Sequence, residues 1–597
     1  MDDSPRRSSR RFASRLGRRS RSGAQLPHRW VTQGGRLRTT RRRPGISAAA
    51  RVRRMNLLAC VLLLAAAPGA HDAPFEAFAQ KYVQELLDRE PETATRLGEH
   101  RNDARLNDYS AQGVERDLAA AKGGLAELAR IDSQKLSAED AVDYRILKNR
   151  LESEVYELQT LREWEWNPLD YNVGRAIYAL IAREFAPPEQ RLRSVIGRLN
   201  GVPAVVAAAK ANLKNPPRVH TETAIQQNKG TANLVKEQLE PLVKQAPTLE
   251  KEFRTAQSTA LKALAEYQQW LEKDLLPRSN GDFRLGDDKF RKKLRFALDS
   301  DLSKEEILRR AEADLKSTRS AMYHTAVQLW PKLFSDRPVP LDQAVAIKAV
   351  LDEAANKHPT NETIISKATR TLAETTAFVK EKRFVTAYDE PLEIVPTPEF
   401  QRGVAVASCS PAGPLEKNKK TFYYISPTPE DWTPERVESF FREYNDSMLQ
   451  ELTIHEAMPG HYLQLAHANR FRAPTLVRAV VFSGTFVEGW ATYAEQLMAD
   501  AGYGGAEVRM QQLKMRLRMI LNAIIDQKIH TEGMSEEEAI ARMKNDAFQE
   551  EGEAVGKWKR ARLSSTQLST YYVGNAEMND IRAAWEKNHG KYPDLRS

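Results

Sequence analysis

Two histidines and two glutamates are spaced as in the site of a zinc hydrolase. His455 and His461 enclose the heptapeptide His-Glu-Ala-Met-Pro-Gly-His, and Glu488 begins the sequence Glu-Gly-Trp-Ala-Thr-Tyr-Ala-Glu. Two neutral imidazoles and one carboxylate form a three-ligand shell that leaves a fourth zinc position open for water. Glu456, beside the first histidine, is placed to take the proton of that water. The pattern indicates metal-assisted amide hydrolysis.

The spacing of the two histidines requires a break in the helix that carries them. Metalloprotease histidines usually stand at i and i+4 on one helical face, whereas His455 and His461 are at i and i+6. An unbroken helix would turn them about 120° apart. Pro459 removes a backbone donor and Gly460 tolerates unusual dihedral angles, so we predict that the helix ends or bulges just before His461. His455 then lies in a helix's last turn.

These histidines also have a structural interpretation. Two histidines near a proline can cap a helix or bind core carbonyls. Clustering favours the metal hypothesis, since three of the 11 histidines, His455, His461 and His467, fall within 13 residues. His467 follows the motif on a stretch rich in Leu and Ala, which favours a surface or core-edge role for it.

Two acidic residues follow on a second predicted helix. Glu488 and Glu495 are seven residues apart, which places them within about 20° of each other around the helix axis. Taken alone, both are typical of solvated surface acids. Glu488 is the carboxylate that would complete the metal shell from a second helix. Glu495, one to two turns further along, could orient a ligand histidine from behind.

A zinc hydrolase also benefits from a donor that stabilises the oxyanion of the tetrahedral intermediate. The segment Gln567–Gly574 contains the adjacent tyrosines Tyr571 and Tyr572, and Tyr571 is the candidate for this role. The alternative is packing, which is the usual role of aromatic pairs. The sequence has no Gly-x-Ser-x-Gly elbow and no dinucleotide fingerprint, and Gly552–Lys557 fails the phosphate-loop spacing.

The basic character of the chain is confined to its first 54 residues. The 597 residues have a formal net charge of +10, but residues 1–54 contain 17 Arg, no Lys and two acids, a surplus of +15. Residues 55–597 therefore carry a net charge of −5. This mildly acidic remainder argues against nucleic acid as a partner.

An export signal is predicted where the charge changes. Arg53-Arg54-Met55-Asn56 precedes an apolar run at 57–67 and small residues at 68–70, which is the layout of a signal peptide. The run is too short to span a bilayer as a helix, so we predict no integral membrane segment in the mature chain. We expect a periplasmic or secreted protein with a signal peptide at 55–70, starting near Met55. Residues 1–54 are then an Arg-rich extension outside the mature protein, or a basic targeting segment.

The remaining sequence predicts a mainly α-helical protein with a small sheet. Amphipathic patterns such as Phe75–Leu87, Tyr144–Leu161 and Ala256–Leu276 dominate the helical part, 71–390. The catalytic part, 391–597, begins with β-prone segments at Leu392–Val395, Gly403–Ala407 and Thr421–Ser426. An edge of such a sheet would lie close to the metal site, where an extended substrate can pair with it. Cys409 is the one cysteine after the predicted signal, so we predict no disulfide.

Several ordered motifs give the chain a resemblance to the bacterial family called domain of unknown function 885, which runs through most of residues 75–590. They are Phe75–Phe78, Pro91–Gly98, Thr397–Gly403, the His-Glu-x-x-Pro-Gly-His motif at 455–461, the Glu-Gly-Trp-Ala-x-Tyr-x-Glu motif at 488–495, and Gln567–Gly574. The segment Tyr423–Ser426 departs from the strand ending in Val-Asn that is expected for the family. Details of substrate binding are therefore not carried over from it.

The resemblance implies a zincin-like metallopeptidase fold with a deep cleft, similar to the neurolysin and carboxypeptidase Taq folds. It makes His455, His461 and Glu488 the ligands of one zinc ion, Glu456 the general base and Tyr571 a tyrosine near the cleft. It also makes Arg402 a residue that binds a substrate carboxylate or forms a structural ion pair. We add Tyr424 and Tyr572 as residues near the substrate.

The sequence thus predicts an exported zinc hydrolase that cleaves peptides or related amides. Two alternatives stay open at this point. One is a zinc amidase or esterase that acts on small acyl compounds. The other is a noncatalytic helical binding protein in which the motif holds a structural metal, with all four coordination positions closed.

Overall fold

Helices dominate the structure, as the amphipathic periodicity predicts. The computed structural model describes residues 72–402, 406–417, 420–430 and 432–590, all within one compact unit that begins at Pro68. The predicted extension at 1–54, the predicted signal peptide at 55–70 and Cys60 lie outside the described residues. In the part of the chain that is described, no helix is both long and apolar enough to cross a bilayer.

The helical part consists of thirteen α-helices connected by loops and short 3-10 or π turns. They are α1 (Ala73–Arg89), α2 (Pro91–Leu97), α3 (Ala111–Leu128), α4 (Ala138–Tyr156), α5 (Gly174–Ala182), α6 (Pro188–Asn212), α7 (Arg218–Asn233), α8 (Glu240–Gln245), α9 (Glu250–Trp270), α10 (Asp287–Leu298), α11 (Lys304–Phe334), α12 (Gln343–Ala355) and α13 (Ile364–Lys382). The three helices predicted from the pattern lie in α1, in α4 and in α9, and the last two continue as π turns at Glu157–Leu161 and Leu271–Leu275.

Three strands and nine further helices follow in the described chain. The strands are β1 (Leu392–Pro396), β2 (Ala407–Ser410) and β3 (Thr421–Ile425). The helices are α14 (Pro434–Glu443), α15 (Asp446–Glu456), α16 (His461–Ala468), α17 (Val477–Val480), α18 (Gly484–Asp500), α19 (Gly505–Thr531), α20 (Glu536–Ala547), α21 (Glu551–Leu563) and α22 (Ser569–His589).

Side-chain caps fix many of the helix starts. Ser303 accepts from the backbone N–H of Glu306 at the start of α11, and Asn445 accepts from Met448 at the start of α15. Such caps satisfy backbone donors that the helix itself leaves unpaired. Because Asn445 starts α15 at Asp446, the helix reaches His455 in its last turn.

Buried apolar side chains of the described residues form four clusters. One joins α1 to α4 and includes Val477 of α17. A second joins α5 to α9 and includes Phe400. A third surrounds the sheet with α13 to α16 and α18, and the largest joins α10 to α12 with α19 to α22. Val477 and Phe400 therefore tie the catalytic part into the cores of the helical part.

The three strands form one small mixed sheet in the order β1-β3-β2. β1 pairs with β3 in parallel, and β2 pairs with β3 antiparallel, with Cys409 opposite Tyr423. The predicted segments at Leu392–Val395 and Thr421–Ser426 match β1 and β3. Of the predicted segment Gly403–Ala407, residues 403–405 lie outside the described residues and Ala407 begins β2, whose pairing with β3 continues through the small polar residues 408–410.

The sheet packs against the helix that carries the first histidine. Tyr423 and Ile425 of β3 belong to the same buried cluster as Met448 and Leu452 of α15. The hydroxyl of Tyr423 lies 3.5 Å from Thr453 Oγ1. β2 is an end strand of the sheet and also contacts α15. The sheet thus holds the end of α15 and places one strand edge beside it.

Candidate metal centre

The helix breaks between the two histidines, as the Pro459-Gly460 pair predicts. α15 ends at Glu456 and α16 begins at His461. The Gly460 N–H donates to the carbonyl of Ile454 over 2.9 Å. A Cβ on Gly460 would lie 2.0 Å from the His455 carbonyl oxygen, so no larger residue fits this turn. The turn brings the second histidine back toward the first, with the two ring centroids 4.6 Å apart.

His455, His461 and Glu488 present their donor atoms to one point. Nε2 of His455 lies 3.6 Å from Glu488 Oε2, and Nε2 of His461 lies 3.4 Å from the same oxygen. Each of the three residues has one donor atom that lies within 4.8 Å of the donor atoms of the other two. A tetrahedral zinc ion with bonds of about 2.0–2.2 Å would separate its ligand atoms by roughly 3.3–3.6 Å. The measured separations suit such an ion.

Two helices place Glu488 by unusually close packing. Gly489 of α18 lies against Gly574 of α22, and a Cβ on Gly489 would come within 2.5 Å of the Gly574 backbone. The indole N–H of Trp490 donates to the carbonyl of Pro459 over 2.8 Å. The glycine of the Glu-Gly-Trp sequence therefore allows α18 to pack against α22. The tryptophan fixes the turn between the histidines.

Glu495 lies where the sequence places it, behind the first histidine. Its Oε1 is 2.7 Å from His455 Nδ1, and both side chains are buried. When Nδ1–H of the neutral imidazole donates to this carboxylate, the lone pair of the ring is on Nε2. That nitrogen is the atom directed toward Glu488.

Glu456 is buried beside this cluster with an unused oxygen. Its Oε2 has no hydrogen-bond partner among the described residues. Burial raises the pKa of the Glu456 carboxyl above its usual range, although His461 and His455 act to lower it. The backbone of Cys409 in β2 also acts to lower this pKa. A buried carboxylate of raised pKa is a stronger proton acceptor than one in water.

Glu488 has the opposite electrostatic balance. Burial alone would raise its pKa, but the neighbouring imidazoles of His455 and His461 outweigh this and hold the pKa of Glu488 well below its usual range. Its Oε2 is buried and makes no conventional hydrogen bond in the described chain. Glu488 is thus an ionised carboxylate with an electron pair free for a cation.

Tyr571 lies next to the first histidine. Its ring is nearly parallel to that of His455, with centroids 6.5 Å apart. Its hydroxyl accepts hydrogen bonds from Arg560 Nη2 over 2.9 Å and from Gln567 Nε2 over 3.4 Å. Burial raises the pKa of Tyr571 despite the opposing charge of Arg560, so the hydroxyl keeps a proton that it can donate.

Asp526 of α19 fixes the start of the helix that carries Tyr571. It accepts from the backbone N–H groups of Thr566 and Ser569 over 3.1 and 3.2 Å, and from Ser569 Oγ over 2.8 Å. These bonds satisfy donors at the start of α22, which begins at Ser569. The position of Tyr571 therefore depends on a residue 45 positions earlier in the sequence.

Arg560 is a site residue that sequence reasoning missed. It lies on α21, and its contact with the Tyr571 hydroxyl brings it to the metal centre. An arginine on an amphipathic helix carries no local signal of such a role, since most of them are solvated. Only the packing of α21 on α22 identifies it.

Three of the predicted substrate residues make their contacts away from the three candidate metal ligands. The hydroxyl of Tyr572 donates to Asp314 of α11 over 2.8 Å, within the large helical core. Arg402 donates from Nε to the carbonyl of Thr397 over 3.0 Å, which is a contact within its own segment. The hydroxyl of Tyr424 lies 3.3 Å from that of Tyr178 on α5. Tyr424 also lines the cavity that adjoins the metal centre.

A cavity of about 2600 Å³ adjoins the metal centre. Its lining includes side chains next to the ligands in sequence or in space, namely Ser408, Cys409, Gln464, Val487, Trp490, Arg560 and Gln567. His467 also lines the cavity, and its Nε2 lies 2.7 Å from the Thr386 carbonyl, away from the ligands. The cavity thus reaches the side chains that surround Glu456 and Tyr571.

Large apolar side chains are exposed along one stretch of the cavity lining. Phe471, Leu476, Phe482 and Phe486 all line it and are 56%, 49%, 69% and 48% exposed. Exposed large apolar side chains that cluster in this way mark binding surfaces more often than isolated ones do.

The chain belongs to the family described as bacterial protein of unknown function (DUF885), whose model matches residues 91–597. This confirms the resemblance found in the sequence. A solved structure titled as a putative lipoprotein of unknown function from Shewanella oneidensis is similar, with 34% identity and a TM-score of 0.72, covering 87% of this chain and 95% of that one. A putative lipoprotein from Colwellia psychrerythraea shares the fold at 18% identity and a TM-score of 0.71, covering 87% and 94%. The comparison with curated proteins gave no match.

Proposed function

We propose that this DUF885 protein is an exported, zinc-dependent hydrolase that cleaves the amide bonds of peptides. The observation that carries the proposal is the meeting of His455, His461 and Glu488 at separations of 3.4 and 3.6 Å, which suit a tetrahedral zinc ion. Glu456, with its unpaired carboxylate oxygen, lies beside them. This is the donor set and the base that metal-assisted hydrolysis needs.

A zinc ion held by these residues would supply the Lewis acidity that activates water and polarises the scissile carbonyl. Glu456 takes the proton of the attacking water and passes it to the leaving amine nitrogen. Tyr571 donates its hydroxyl proton in a hydrogen bond to the carbonyl oxygen as that oxygen gains negative charge. Arg560 orients Tyr571, and its positive charge stabilises the negative charge that develops on the carbonyl oxygen.

The number of ligands favours catalysis over a structural metal site. A structural zinc site is closed by four protein ligands, whereas a catalytic site has three and leaves one position open. Within the described residues, three side chains make up the group. The noncatalytic alternative is therefore the weaker proposal.

The size of the cavity favours peptides over small acyl compounds. Pockets for drug-sized ligands measure about 300–1000 Å³, and the cavity here measures about 2600 Å³. β2 ends the sheet next to Glu456, so its outer edge can pair with an extended backbone. Phe471, Phe482 and Phe486 offer apolar contacts to substrate side chains. We accordingly propose a zincin-like cleft, like those of neurolysin and carboxypeptidase Taq.

Export is proposed from two independent features. The sequence carries a basic and apolar signal pattern at 53–70. Two structurally similar proteins are described as putative lipoproteins, and lipoproteins are exported. We propose that the mature protein acts in the periplasm or outside the cell.

The proposal is tested by metal content and peptide cleavage in the same preparation. We expect the zinc-loaded protein to hold about one zinc ion per chain and to cleave members of an oligopeptide library. The Glu456→Gln variant should keep its zinc and lose roughly 10²–10⁴-fold in kcat/KM, the usual contribution of a general base. Zinc is measured by atomic emission, and cleavage by mass spectrometry of the products.

A matched control is Glu266→Gln, which makes the same change at an exposed position of α9. This variant should behave as the wild type. Assays of acyl-amino acids and esters beside the peptides distinguish a peptidase from the alternative, a zinc amidase or esterase of small acyl compounds. A wild-type protein that binds no zinc under metal-replete conditions would refute the proposal, and an active Glu456→Gln variant would refute the assigned base.

A further inference from the structure

Several arginines of the cavity lining form no ion pair in the described chain, and two of them lie on α2 and α5, helices that contact each other. Arg96 of α2 and Arg175 in the first turn of α5 both line the cavity and are exposed to it. Arg96 donates to Thr93 Oγ1 over 3.3 Å. Neither guanidinium forms an ion pair within 4.0 Å in the part of the chain that is described.

Other arginines of the same cavity are already engaged. Arg478 pairs with Asp143 and Glu139, and Arg470 pairs with Glu390. Arg183 donates to the backbone carbonyls of residues 410, 411 and 420. Arg96 and Arg175 therefore differ from these neighbours in having guanidinium groups available to a ligand.

The acid of α2 has other partners. Glu92 stands four residues before Arg96 on α2, but its carboxylate accepts from the Asn107 N–H over 2.9 Å and from the Tyr109 hydroxyl over 3.0 Å. The charges of Arg198 and Arg96 both act on Glu92, yet Glu92 forms no ion pair within 4.0 Å with Arg96 or Arg175 in the described chain.

The two positive charges also oppose each other. Protein atoms around the Arg175 guanidinium displace water and lower its pKa, although part of the side chain is exposed to the cavity, and the charge of Arg96 lowers the pKa further. Arg175 lies at the start of a nine-residue helix, where the helix dipole is positive and disfavours a cation. An anion bound between the two guanidinium groups would relieve both effects, and a carboxylate matches their paired N–H donors.

The pair is connected to the metal centre through α5 and the sheet. Tyr178, one helical turn after Arg175, contacts the hydroxyl of Tyr424. Tyr424 is opposite Ser408 in β2, and β2 packs against α15, the helix that carries His455 and Glu456. Arg175 thus lies one helical turn from a residue that contacts the sheet beside the metal centre.

We propose that Arg96 and Arg175 bind a carboxylate of the substrate, so that this protein selects peptides by an acidic group held at a fixed distance from the cleaved bond. This inference rests on the proposed function and names its substrate class. The carboxylate has two sources, the free C-terminus of a peptide or an Asp or Glu side chain. Both present the same planar pair of oxygens to the guanidinium groups.

The experiment compares three versions of one cleaved peptide: a free C-terminal acid, the C-terminal amide, and the amide with Asp or Glu as its last residue. The wild type should cleave the free acid with a kcat/KM at least about tenfold above that of the amide, the effect of a charge-assisted pair. In Arg96→Gln, Arg175→Gln and the double variant this ratio should fall toward one. If the acidic amide is cleaved as well as the free acid, the recognised group is a side-chain carboxylate.

The control is Arg472→Gln, since Arg472 is also exposed and lines the same cavity. This variant should keep the wild-type ratio, and thermal melts check that every variant is folded. Equal cleavage of the free acid, the plain amide and the acidic amide by the wild type would overturn the inference, and so would arginine variants that leave the preference for the acidic peptide unchanged.

A binding measurement separates this inference from the proposed function. Fluorescence anisotropy with the Glu456→Gln protein reports the affinity of labelled acid and amide peptides without any turnover. If no peptide is cleaved by the wild type, the proposed function fails, and the anisotropy still decides the inference. Tighter binding of the acid that is lost with Arg96→Gln and Arg175→Gln supports it, and equal affinities refute it.

Discussion

Two clusters of buried charged side chains lie on neighbouring helices and are built in opposite ways. Around Glu443, at the end of α14, every carboxylate oxygen is used: it accepts from Lys514 over 2.8 Å, from the Glu550 N–H over 3.0 Å, and from Arg518. Around Glu488, the buried Oε2 has no conventional hydrogen bond in the described chain, and neither have Glu456 Oε2 and His461 Nδ1.

We propose that this difference separates a cluster that stabilises the fold from one that binds a ligand. Taking charges out of water costs several kcal/mol per ion, so a buried group persists when neighbours satisfy it or when a bound partner does. The Glu443 cluster is complete within the chain. The Glu488 cluster leaves electron pairs that meet at one point, which a cation would satisfy. Each cluster therefore predicts a different response to the loss of its central carboxylate.

The largest effect is expected for Glu488→Gln. The change removes a charged ligand from a three-ligand site, so zinc should fall from about one ion per chain to a small fraction and peptide cleavage should fall to background. Zinc after dialysis is measured by atomic emission. Thermal melts in the presence of a chelator should show that the variant is folded. Full zinc occupancy and turnover in the Glu488→Gln variant would contradict the assignment of Glu488 as a zinc ligand.

The matching change in the other cluster, Glu443→Gln, should act on stability. It leaves Lys514 and Arg518 buried without their counter-charge, which costs about 3–5 kcal/mol in the free energy of unfolding. Urea unfolding measures this loss. While the variant is folded, its zinc content and kcat/KM should match those of the wild type. A loss of zinc at unchanged stability would show that the two clusters are not distinct.

A somewhat smaller effect is expected for Tyr571→Phe, which sharpens the comparison inside the metal centre. Removing a donor to the oxyanion should lower kcat by about 10²–10³-fold, while zinc content and KM stay close to wild type. The control is Tyr572→Phe, which removes the hydrogen bond to Asp314. That variant should lose roughly 1 kcal/mol of stability and keep its kcat. Equal effects of the two variants on kcat would exclude the assigned role.

Local sequence signals predicted much of the secondary structure around the site. Apolar periodicity located α1, α4 and α9, and β-branched or aromatic residues located β1 and β3. The prediction left out residues 408–410 of β2, because Ala-Ser-Cys-Ser at 407–410 has little strand preference of its own. Its place depends on pairing with β3, which is buried along its whole length.

Contacts between distant segments were not predictable in the same way. Tyr571 and Tyr572 look alike in the sequence, yet adjacent residues on a helix point about 100° apart, and one faces His455 while the other faces Asp314. Arg560, Arg96 and Arg175 are ordinary arginines of amphipathic helices by sequence. The roles proposed for these three arginines depend on how their helices pack against other helices.

The sequence by itself identified the family, the helix break and the candidate donor set, because residue type, short spacing and the backbone limits of proline and glycine are local properties. It could name Glu488 and Glu495 but not their distances to the histidines. Tertiary structure alone decided that Glu488 lies 3.4 and 3.6 Å from two imidazoles and that Glu495 lies behind His455. These separations depend on the packing of α18 against α15 and α16, while the contact of Gly489 with Gly574, two residues 85 positions apart, fixes α18 against α22. Such a contact forms only when α18 and α22 bury their faces against each other.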